Sequence, residues 1–316
     1  MQTCIAGNSH VLMADKTYKT VDKVVPGDLV LNMKLEPVKV VMKGETLKSE
    51  MVQVVHENWF EPLHCSPNEE ILVIDSIKDD TCELKWVEAK DLKQGMIIMS
   101  CEEIYDTLPE SGTFMGTTLD YSLGLLFGLY AGYGNITENR IEFTFGMNDE
   151  LAIRVKSICE KLGGEVQINR SDEMIQVRVS NEELLSHFKE FGTKMERCIP
   201  QKYWLKKSDY LQGLFEGLID FNQEAKLCRY ITVSPEMCRA FVWITASQGI
   251  NFSCEGVQSH QTFKVYPLLV RIEQDQRYLS RVLSVTNCGE EKGYYLSVAC
   301  DTNSMVVNNC VVKSDE

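Results

Sequence analysis

The sequence predicts a mixed fold, in which two β-rich chain ends form one domain and an α+β domain is inserted between them. Short β-branched runs separated by turn residues dominate both ends of the chain. The middle instead alternates helices with strands, and the order of these elements recurs after about 80 residues. We therefore predict a β domain over 1–115 and 278–316. The inserted domain is predicted over 118–275, with repeats over about 118–195 and 205–275.

The N-terminal segment carries several strand signals. "PGDLV" (26–30) places a Pro-Gly turn directly before a strand. Three runs rich in β-branched residues predict further strands: "VQVVH" (52–56), "EILVID" (70–75) and "MIIMS" (96–100).

The C-terminal segment has the same character. We predict strands at "RVLSV" (281–285), "YYLSVAC" (294–300) and "SMVVNN" (304–309). The glycine-bounded, charged stretch "CGEEKG" (288–293) predicts a turn between the first two of them.

The first repeat of the middle region is predicted from helical spacing, caps and β-branched runs. Its helices are "DYSLGLLFGLYAGYG" (120–134), "DELAIRVKSICEKLGG" (149–164) and "NEELLSHFKEFG" (181–192), and its strands are "IEFTF" (141–145), "EVQINR" (165–170) and "MIQVRVS" (174–180). The second repeat shows the same order, with helices at "DYLQGLFEGLIDF" (209–221) and "PEMCRAFVWITASQGI" (235–250), and strands at "RYITVS" (229–234) and "FKVYPLLVRIE" (263–273).

The first helix of each repeat carries glycines one turn apart. These are Gly124, Gly128 and Gly132 in one helix, and Gly213 and Gly217 in the other. Each glycine costs about 1 kcal/mol in helix propensity. The matched spacing therefore predicts that the two helices pack with their backbones in close approach.

Composition and charge exclude several functions. The net charge is −14, and acidic residues slightly outnumber basic ones in the duplicated region, which is a poor balance for binding DNA phosphates. Twelve cysteines occur without any CxxC pair or zinc-ligand spacing, so no metal site is expected. Neither a secretory signal nor an apolar run of membrane-spanning length is present, and we expect an intracellular protein, cytoplasmic or nuclear, with reduced thiols.

The repeat-opening helices resemble the signature of the LAGLIDADG homing endonucleases. "LFGLYAGYG" (126–134) and "FEGLIDFNQ" (215–223) align with the nine-letter motif. The resemblance implies a pseudo-twofold domain in which each repeat has the order αββαββα. In that family each helix ends in an acidic residue that binds Mg²⁺ and cleaves one DNA strand. The aligned positions here hold Tyr133 and Asn222, which are not carboxylates, so we expect Mg²⁺ binding and cleavage to be lost. Asp220, at a helical offset from Asn222, is expected to point elsewhere.

The flanking segments resemble the Hint splicing domain of inteins. The stretches that carry the resemblance are "CIAGNSHVLMADKTYKTVDKVVPGDLVLN" (4–32), "LHCSPNEEILV" (63–73) and "RVLSVTNCGEEKGYYLSVACDTNSMVVNNCVVKSD" (281–315). A nuclease lodged inside a Hint domain is a layout of this family. The sequence is most similar to the group containing the yeast vacuolar ATPase intein and the mating-type switching endonuclease.

The resemblance implies roles for residues near the first junction. Cys4 occupies the position of the nucleophile that attacks its preceding carbonyl. The usual Thr-x-x-His reads Ser66 to Glu69, and an ionised Glu69 has no proton to donate to the departing amide. His64 is predicted to face the opposite side of its strand and not to replace the missing histidine.

Two registers remain open at the second junction. In the first, Asn303 and Ser314 replace the two family histidines, Asp315 replaces the asparagine that cyclises, and splicing is lost. In the second, Asn309 would cyclise and Cys310 would accept the acyl group, with Asn308 in place of the junction histidine.

The leading hypothesis is therefore a catalytically inert, domesticated intein-like protein that acts by binding. A protein partner or larger assembly is expected, with DNA less favoured, no membrane and no cofactor. The competing hypothesis is an active self-splicing or self-cleaving intein using Cys4, Asn309 and Cys310, with a dead nuclease domain. The oligomeric state is left open.

Overall fold

A computed structural model describes most of the chain, in two compact units. The described residues are 3–57, 59–78, 81–100, 108–147, 149–193, 195–205, 208–222, 227–248, 250, 252–254, 258–259, 264–271 and 280–314. One unit comprises 1–104 and 276–316, and the other comprises 105–275.

The elements are numbered in chain order. The strands are β1 (Ile5–Ala6), β2 (His10–Leu12), β3 (Tyr18–Thr20), β4 (Leu29–Leu31), β5 (Pro37–His56), β6 (Leu63–Cys65), β7 (Glu70–Lys78), β8 (Thr81–Glu88), β9 (Ile97–Ile98), β10 (Thr113–Phe114), β11 (Thr117–Thr118), β12 (Gly134–Thr137), β13 (Arg140–Phe145), β14 (Glu165–Arg170), β15 (Ile175–Ser180), β16 (Asp220–Asn222), β17 (Leu227–Thr232), β18 (Phe252–Cys254), β19 (Gln258–Ser259), β20 (Lys264–Arg271), β21 (Ser280–Val298), β22 (Ser304–Val307) and β23 (Cys310–Lys313). The helices are α1 (Tyr121–Tyr133), α2 (Asp149–Lys161), α3 (Glu182–Lys189), α4 (Asp209–Leu218) and α5 (Pro235–Ser247). In the described part of the chain, no helix has the length and apolar character needed to cross a membrane.

The unit formed by the chain ends is built on one antiparallel sheet of twelve strands. Its order is β3-β2-β22-β23-β7-β9-β21-β1-β6-β5-β4, with β8 beside β7 and an additional pairing of β21 with β5. Inward-facing apolar residues of these strands form its core, among them Val11, Val54, Ile71 and Val307. Strands from both ends of the chain therefore alternate within a single sheet.

The longest pairing in this unit joins β5 to β21, and it overturns one prediction. "CGEEKG" does not form a turn, because 280–298 is one continuous strand that pairs along nearly the whole of β5. Register shifts mark bulges beside Cys288 and Lys292. Gly289 takes a φ of 92°, which suits glycine and lets the bulged strand bend. Residues typical of a turn thus mark a β-bulge in this strand.

The second unit contains two repeats with one sheet each. The sheets have the corresponding orders β12-β13-β15-β14 and β16-β17-β20-β18, with β19 paired to β20 in the second. The first repeat follows the predicted αββαββα order, and the second follows it through β20. The last predicted helix of the second repeat would fall on 272–279, outside the described residues. The predicted mixed fold class is confirmed.

Helices α1 and α4 cross at four of the five predicted glycines, and only Gly132 lies outside the close contact. A Cβ added at Gly128 would fall inside van der Waals distance of the Leu214 carbonyl oxygen and 2.8 Å from the Leu218 nitrogen. At the equivalent Gly217, it would fall inside that distance of the Leu125 oxygen and 2.8 Å from the Leu129 nitrogen. The two helices are therefore related by a local pseudo-twofold axis and touch backbone to backbone.

Helix α4 is shorter than predicted. It ends at Leu218, and Asp220–Asn222 form β16, which pairs with β17. The helical offset that was predicted to separate Asp220 from Asn222 therefore does not apply. Pairing with β17 satisfies the backbone groups that a further helical turn would otherwise have used.

We expect Gly128→Ala to destabilise the second unit by about 3 kcal/mol, because the methyl group would force two packed helices apart. Gly132→Ala is the matched control on the same helix. A Cβ at Gly132 would lie 3.7 Å from its nearest neighbour, the Leu218 oxygen. That variant should be neutral or more stable by up to about 1 kcal/mol. Urea unfolding followed by circular dichroism measures both, and equal effects of the two variants would contradict the close crossing.

Candidate functional site

Cys4 is held by a reciprocal pair of hydrogen bonds to Ser66. The Cys4 backbone N–H donates to Ser66 Oγ at 3.0 Å, and the Ser66 backbone N–H donates to the Cys4 carbonyl at 2.8 Å. Cys4 directly precedes β1 and Ser66 directly follows β6, and these two strands pair at Ile5 and Cys65. The sheet thus fixes both the amide and the carbonyl of Cys4.

Glu69 closes a tight turn beside this pair. Its N–H donates to the Ser66 carbonyl at 3.0 Å, and its own carbonyl accepts from the Ala89 N–H at 2.8 Å. The residue is buried, with 2% of its surface exposed. Burial first, and then the negative charge of Glu69, raise the pKa of the neighbouring Cys65 thiol well above its usual range. Charge at this position therefore disfavours thiolate formation nearby.

Asn303 and Ser314 lie together where the β22–β23 hairpin opens. The Ser314 backbone N–H donates to the Asn303 carbonyl at 2.8 Å. Strand β23 also pairs with β7, with Val312 opposite Ile71, and Lys313 Nζ lies 2.5 Å from Glu70 Oε2. Continuing this antiparallel register places Ser314 opposite Glu69. Asp315 lies outside the described residues.

Hydrogen bonds join five sequence-predicted positions into two groups, and the extended β7–β23 register places Ser314 of the second group opposite Glu69 of the first. The five positions are Cys4, Ser66, Glu69, Asn303 and Ser314. A cavity of about 800 Å³ opens beside Cys4, and Glu50, Glu88 and Lys90 contribute to its charged lining. Cys4 is part of the cavity wall, but only 2% of its surface is exposed.

Asn309 and Cys310 occupy a different place, the tight turn of the β22–β23 hairpin. Asn308 and Asn309 take φ values of 47° and 59°, the left-handed conformation required at both central positions of a type I′ turn. Asn308 Oδ1 accepts from the His10 N–H at 2.7 Å, and its Nδ2 donates to the Pro62 carbonyl at 3.0 Å. Cys310 is fully buried and pairs with Val307. Asn308 thus fastens the hairpin to neighbouring loops.

A buried histidine, His56, lies beside Cys310 and was not predicted as a site residue from the sequence. His56 Nε2 lies 3.1 Å from Cys310 Sγ, and His56 Nδ1 lies 2.8 Å from both Ser280 Oγ and the Glu57 carbonyl. His56 Nε2 also lies 3.1 Å from the Asn308 carbonyl, so each ring nitrogen faces a backbone acceptor for a ring proton. No local signal identifies this pair, because β5, β21 and β23 bring together residues from distant parts of the chain.

Burial governs the charge of His56. Loss of solvent lowers the pKa of His56 to about 4, although the facing Glu57 and Asn308 carbonyls favour the protonated ring. The imidazole is therefore neutral at pH 7. A neutral ring provides no positive charge to stabilise a Cys310 thiolate, in contrast to the charged partners of reactive cysteines.

The endonuclease-like positions lie at the ends of the paired helices. Tyr133 is the last residue of α1, and its ring centroid is 5.5 Å from that of Phe145. The buried guanidinium of Arg197 donates to the Tyr130 carbonyl at 2.8 Å and to the Gly134 carbonyl at 2.9 Å. It thereby caps the C-terminus of α1 with a positive charge. Asn222, at the other aligned position, lies in β16.

Comparison with known proteins gives weak likenesses only. No family model and no curated protein match the sequence. The DnaB intein from Synechocystis sp. PCC 6803 is 9% identical, with all of both chains covered and a TM-score of 0.36. Mesophilic variants of the homing endonuclease I-DmoI are 16% identical over 48% of this chain and 88% of theirs, with a TM-score of 0.36. The gp41-1 intein is 16% identical over 32% of this chain and 70% of its own, with a TM-score of 0.26. Likenesses of this size establish neither a family nor an activity.

The low pKa of His56 makes the first unit less stable in acid. The unfolded chain takes up a proton near pH 6.5, whereas the folded chain does so only near pH 4. Stability present above pH 6.5 is therefore lost as the pH falls towards 4, by about 3 kcal/mol in total. We expect His56→Gln to remove this part of the pH dependence.

Urea unfolding at pH 7.0 and pH 4.5 measures the effect. His187→Gln is the control, because His187 lies in α3 on the second unit and is partly exposed. An unchanged pH dependence in His56→Gln would show that the buried ring does not titrate as inferred.

Proposed function

We propose that this chain is an intein-like protein that has lost both splicing and endonuclease activity and acts by binding. The observation that supports this most is the arrangement around Cys4. Two hydrogen bonds to Ser66 hold its amide and carbonyl, and Glu69 stands where the family resemblance implies a histidine. The remaining support comes from the second junction and from the helix ends of the inserted unit.

Loss of the first splicing step follows from the groups available at Cys4. An acyl shift requires a proton for the departing amide nitrogen and a nucleophilic thiolate. Ser66 Oγ accepts a hydrogen bond from the Cys4 N–H. In this arrangement Ser66 does not donate a proton to the amide nitrogen. The Glu69 carboxylate lacks a proton when ionised, and its charge opposes a thiolate in its vicinity.

Loss of the second step is supported by the first register at the C-terminal junction. Ser314 opposite Glu69 and Asn303 beside it put serine and asparagine where the family resemblance implies histidines. Neither side chain has the near-neutral pKa that suits a general acid or base at pH 7.

Loss of DNA cleavage is supported by the chemistry at the ends of α1 and α4. Tyr133 provides no carboxylate for Mg²⁺, and asparagine at position 222 is uncharged. Arg197 adds a buried cation at the α1 terminus, which opposes a divalent cation at this position.

The tests start with a precursor that carries a different tag at each end. We expect one intact mass after several days at 25 °C, with and without added thiol. A ligated pair of tags would overturn the proposal of inactivity. Loss of the N-terminal tag only after thiol addition would show that Cys4 still performs the acyl shift.

A restoration variant identifies the cause of inactivity. Glu69→His returns a proton donor to the Cys4 amide. We expect the rate of thiol-induced cleavage at Cys4 to be at least about tenfold higher than in the unchanged chain. Glu69→Gln is the matched control, since it removes the charge without adding an acid–base group. Equal cleavage in the two variants would contradict the assigned role of position 69.

The proposed binding partner is a protein or a larger assembly. DNA is the less favoured partner, although the first sheet of the inserted unit exposes Arg140 and Arg170. Its Arg178 is already paired with Glu142 at 3.1 Å, which reduces the charge available to phosphates. A mobility shift that strengthens steeply as salt is lowered would favour DNA, whereas a protein recovered stoichiometrically from the native cell would favour an assembly.

An active intein using Cys4, Asn309 and Cys310 is the second candidate. It is favoured by the contact between Cys310 Sγ and His56 Nε2, and by Asn309 Nδ2, which is buried without an acceptor among the described residues. It requires the tight turn to open, because Cys310 begins an interior strand of the sheet. A new mass corresponding to cleavage after Asn309, abolished by Asn309→Ala, would establish it.

A further inference from the structure

Three potential metal ligands from distant parts of the sequence meet on one face of the first unit. Among the described residues, His64, Cys288 and Glu291 form a group whose ligand atoms all lie within 4.8 Å of one another. His64 Nδ1 is 3.2 Å from Glu291 Oε1. Each of the three side chains is partly exposed, so an ion could reach them from solvent. The sequence alone predicts no metal site, because no short spacing links these residues.

The fold explains how this group is assembled. His64 lies in β6 opposite Gln53 of β5, and Thr286 of β21 pairs with the same Gln53. Cys288 is the extra residue of a bulge, since Asn287 and Gly289 pair with the consecutive residues Val52 and Met51. A bulge redirects a side chain from the regular alternation of its strand. The bulge therefore brings a thiol into the neighbourhood of a histidine and a carboxylate.

We propose that His64, Cys288 and Glu291 form a binding site for a zinc ion. Imidazole nitrogen, thiolate sulfur and carboxylate oxygen are the ligands that Zn²⁺ takes at about 2.0–2.3 Å in a tetrahedral arrangement. Such an ion holds its ligand atoms roughly 3.3–3.7 Å apart. The separation of 3.2 Å between His64 Nδ1 and Glu291 Oε1 is close to that range. The other separations, 4.8 Å at most, would be shortened to it by small side-chain rotations. Three protein ligands leave a fourth position for water or for a group from a partner.

The ligand chemistry selects against other common ions. Mg²⁺ and Ca²⁺ prefer oxygen ligands, of which this site offers only Glu291. The Cys288 thiol donates to the Met51 carbonyl at 3.2 Å. Zinc binding replaces that S–H with a sulfur–zinc bond and releases one proton to solvent.

The site would connect the two halves of the first unit. It ties β6, from the N-terminal part of the chain, to β21, from the C-terminal part. His64 is two residues before Ser66, which holds the Cys4 amide. A bound ion would therefore stabilise the sheet next to the Cys4 pocket. This effect does not require Cys4 to be catalytically active.

Metal titration of the purified full-length chain tests the proposal. Metal-free protein should bind about one equivalent of Zn²⁺ at this site in calorimetry, and Co²⁺ used as a spectroscopic probe should give the charge-transfer band of a cobalt–thiolate bond. Zn²⁺ should raise the melting temperature, whereas Mg²⁺ at the same concentration should not.

Variants distinguish this site from the other cysteines. We expect Cys288→Ser to abolish the cobalt–thiolate band and His64→Gln to weaken Zn²⁺ binding at least about tenfold. Serine can keep the hydrogen bond to the Met51 carbonyl, and circular dichroism verifies the fold. Cys82→Ser and His187→Gln are controls, because both residues lie outside the group, and they should bind as the unchanged chain does. Absence of Zn²⁺ binding in the unchanged chain, or a band and affinity that persist in His64→Gln/Cys288→Ser, would overturn the proposal.

Discussion

The pairing of β5 with β21 is the constraint on which the first unit depends. It joins Pro37–His56 to Ser280–Val298, so the two ends of the chain become neighbours although the whole second unit separates them in sequence. Closing such a long loop costs entropy, which the unit offsets by burying apolar residues from both segments in one core. Strand β1, which follows Cys4, also pairs with β21. The position of Cys4, the contact of His56 with Cys310 and the bulge at Cys288 therefore all depend on this pairing.

The second unit depends on a different constraint, the absence of side chains at the crossing of α1 and α4. Close approach of backbones brings the two repeats into a symmetric arrangement, and the aromatic residues around α1 fill the space on one side, including Phe127, Phe188 and Tyr203. These contacts are independent of the side chains at positions 133 and 222. The packing of this helix pair thus depends on apolar burial and close backbone approach and not on the residue types at those two positions.

Local sequence signals were sufficient to predict most of the secondary structure. Helical periodicity and terminal glycines predicted α1, α2 and α3. In the structure Asp120 and Asn181 are the N-caps of α1 and α3 and accept from the N–H groups of Leu123 and Leu184. The same approach failed at "CGEEKG" because glycine and charge mark a bulge as well as a turn. It overextended α4 because strand pairing with β17, a contact distant in sequence, ends the helix.

In the candidate site, too, residues in short motifs could be predicted, whereas contacts between distant parts of the chain could not. The family resemblance pointed to Cys4, Ser66 and Glu69, which lie just outside the ends of β1, β6 and β7 and are joined by hydrogen bonds through Ser66. The pair of His56 and Cys310 and the group around Cys288 could not be predicted, since each requires the register of strands hundreds of residues apart. Single residues such as these carry no periodic signal.

The position of β23 has a consequence for any backbone cut at the Asn308–Asn309 turn. This strand lies between β22 and β7, so its N–H and C=O groups are shared with neighbours on both sides. A break in the turn would sever the covalent chain without removing the strand, and Cys310–Lys313 would remain in place as a bound peptide. The sheet could then act as a receptor for a complementary β-strand, with exchange limited by the rate at which that peptide dissociates.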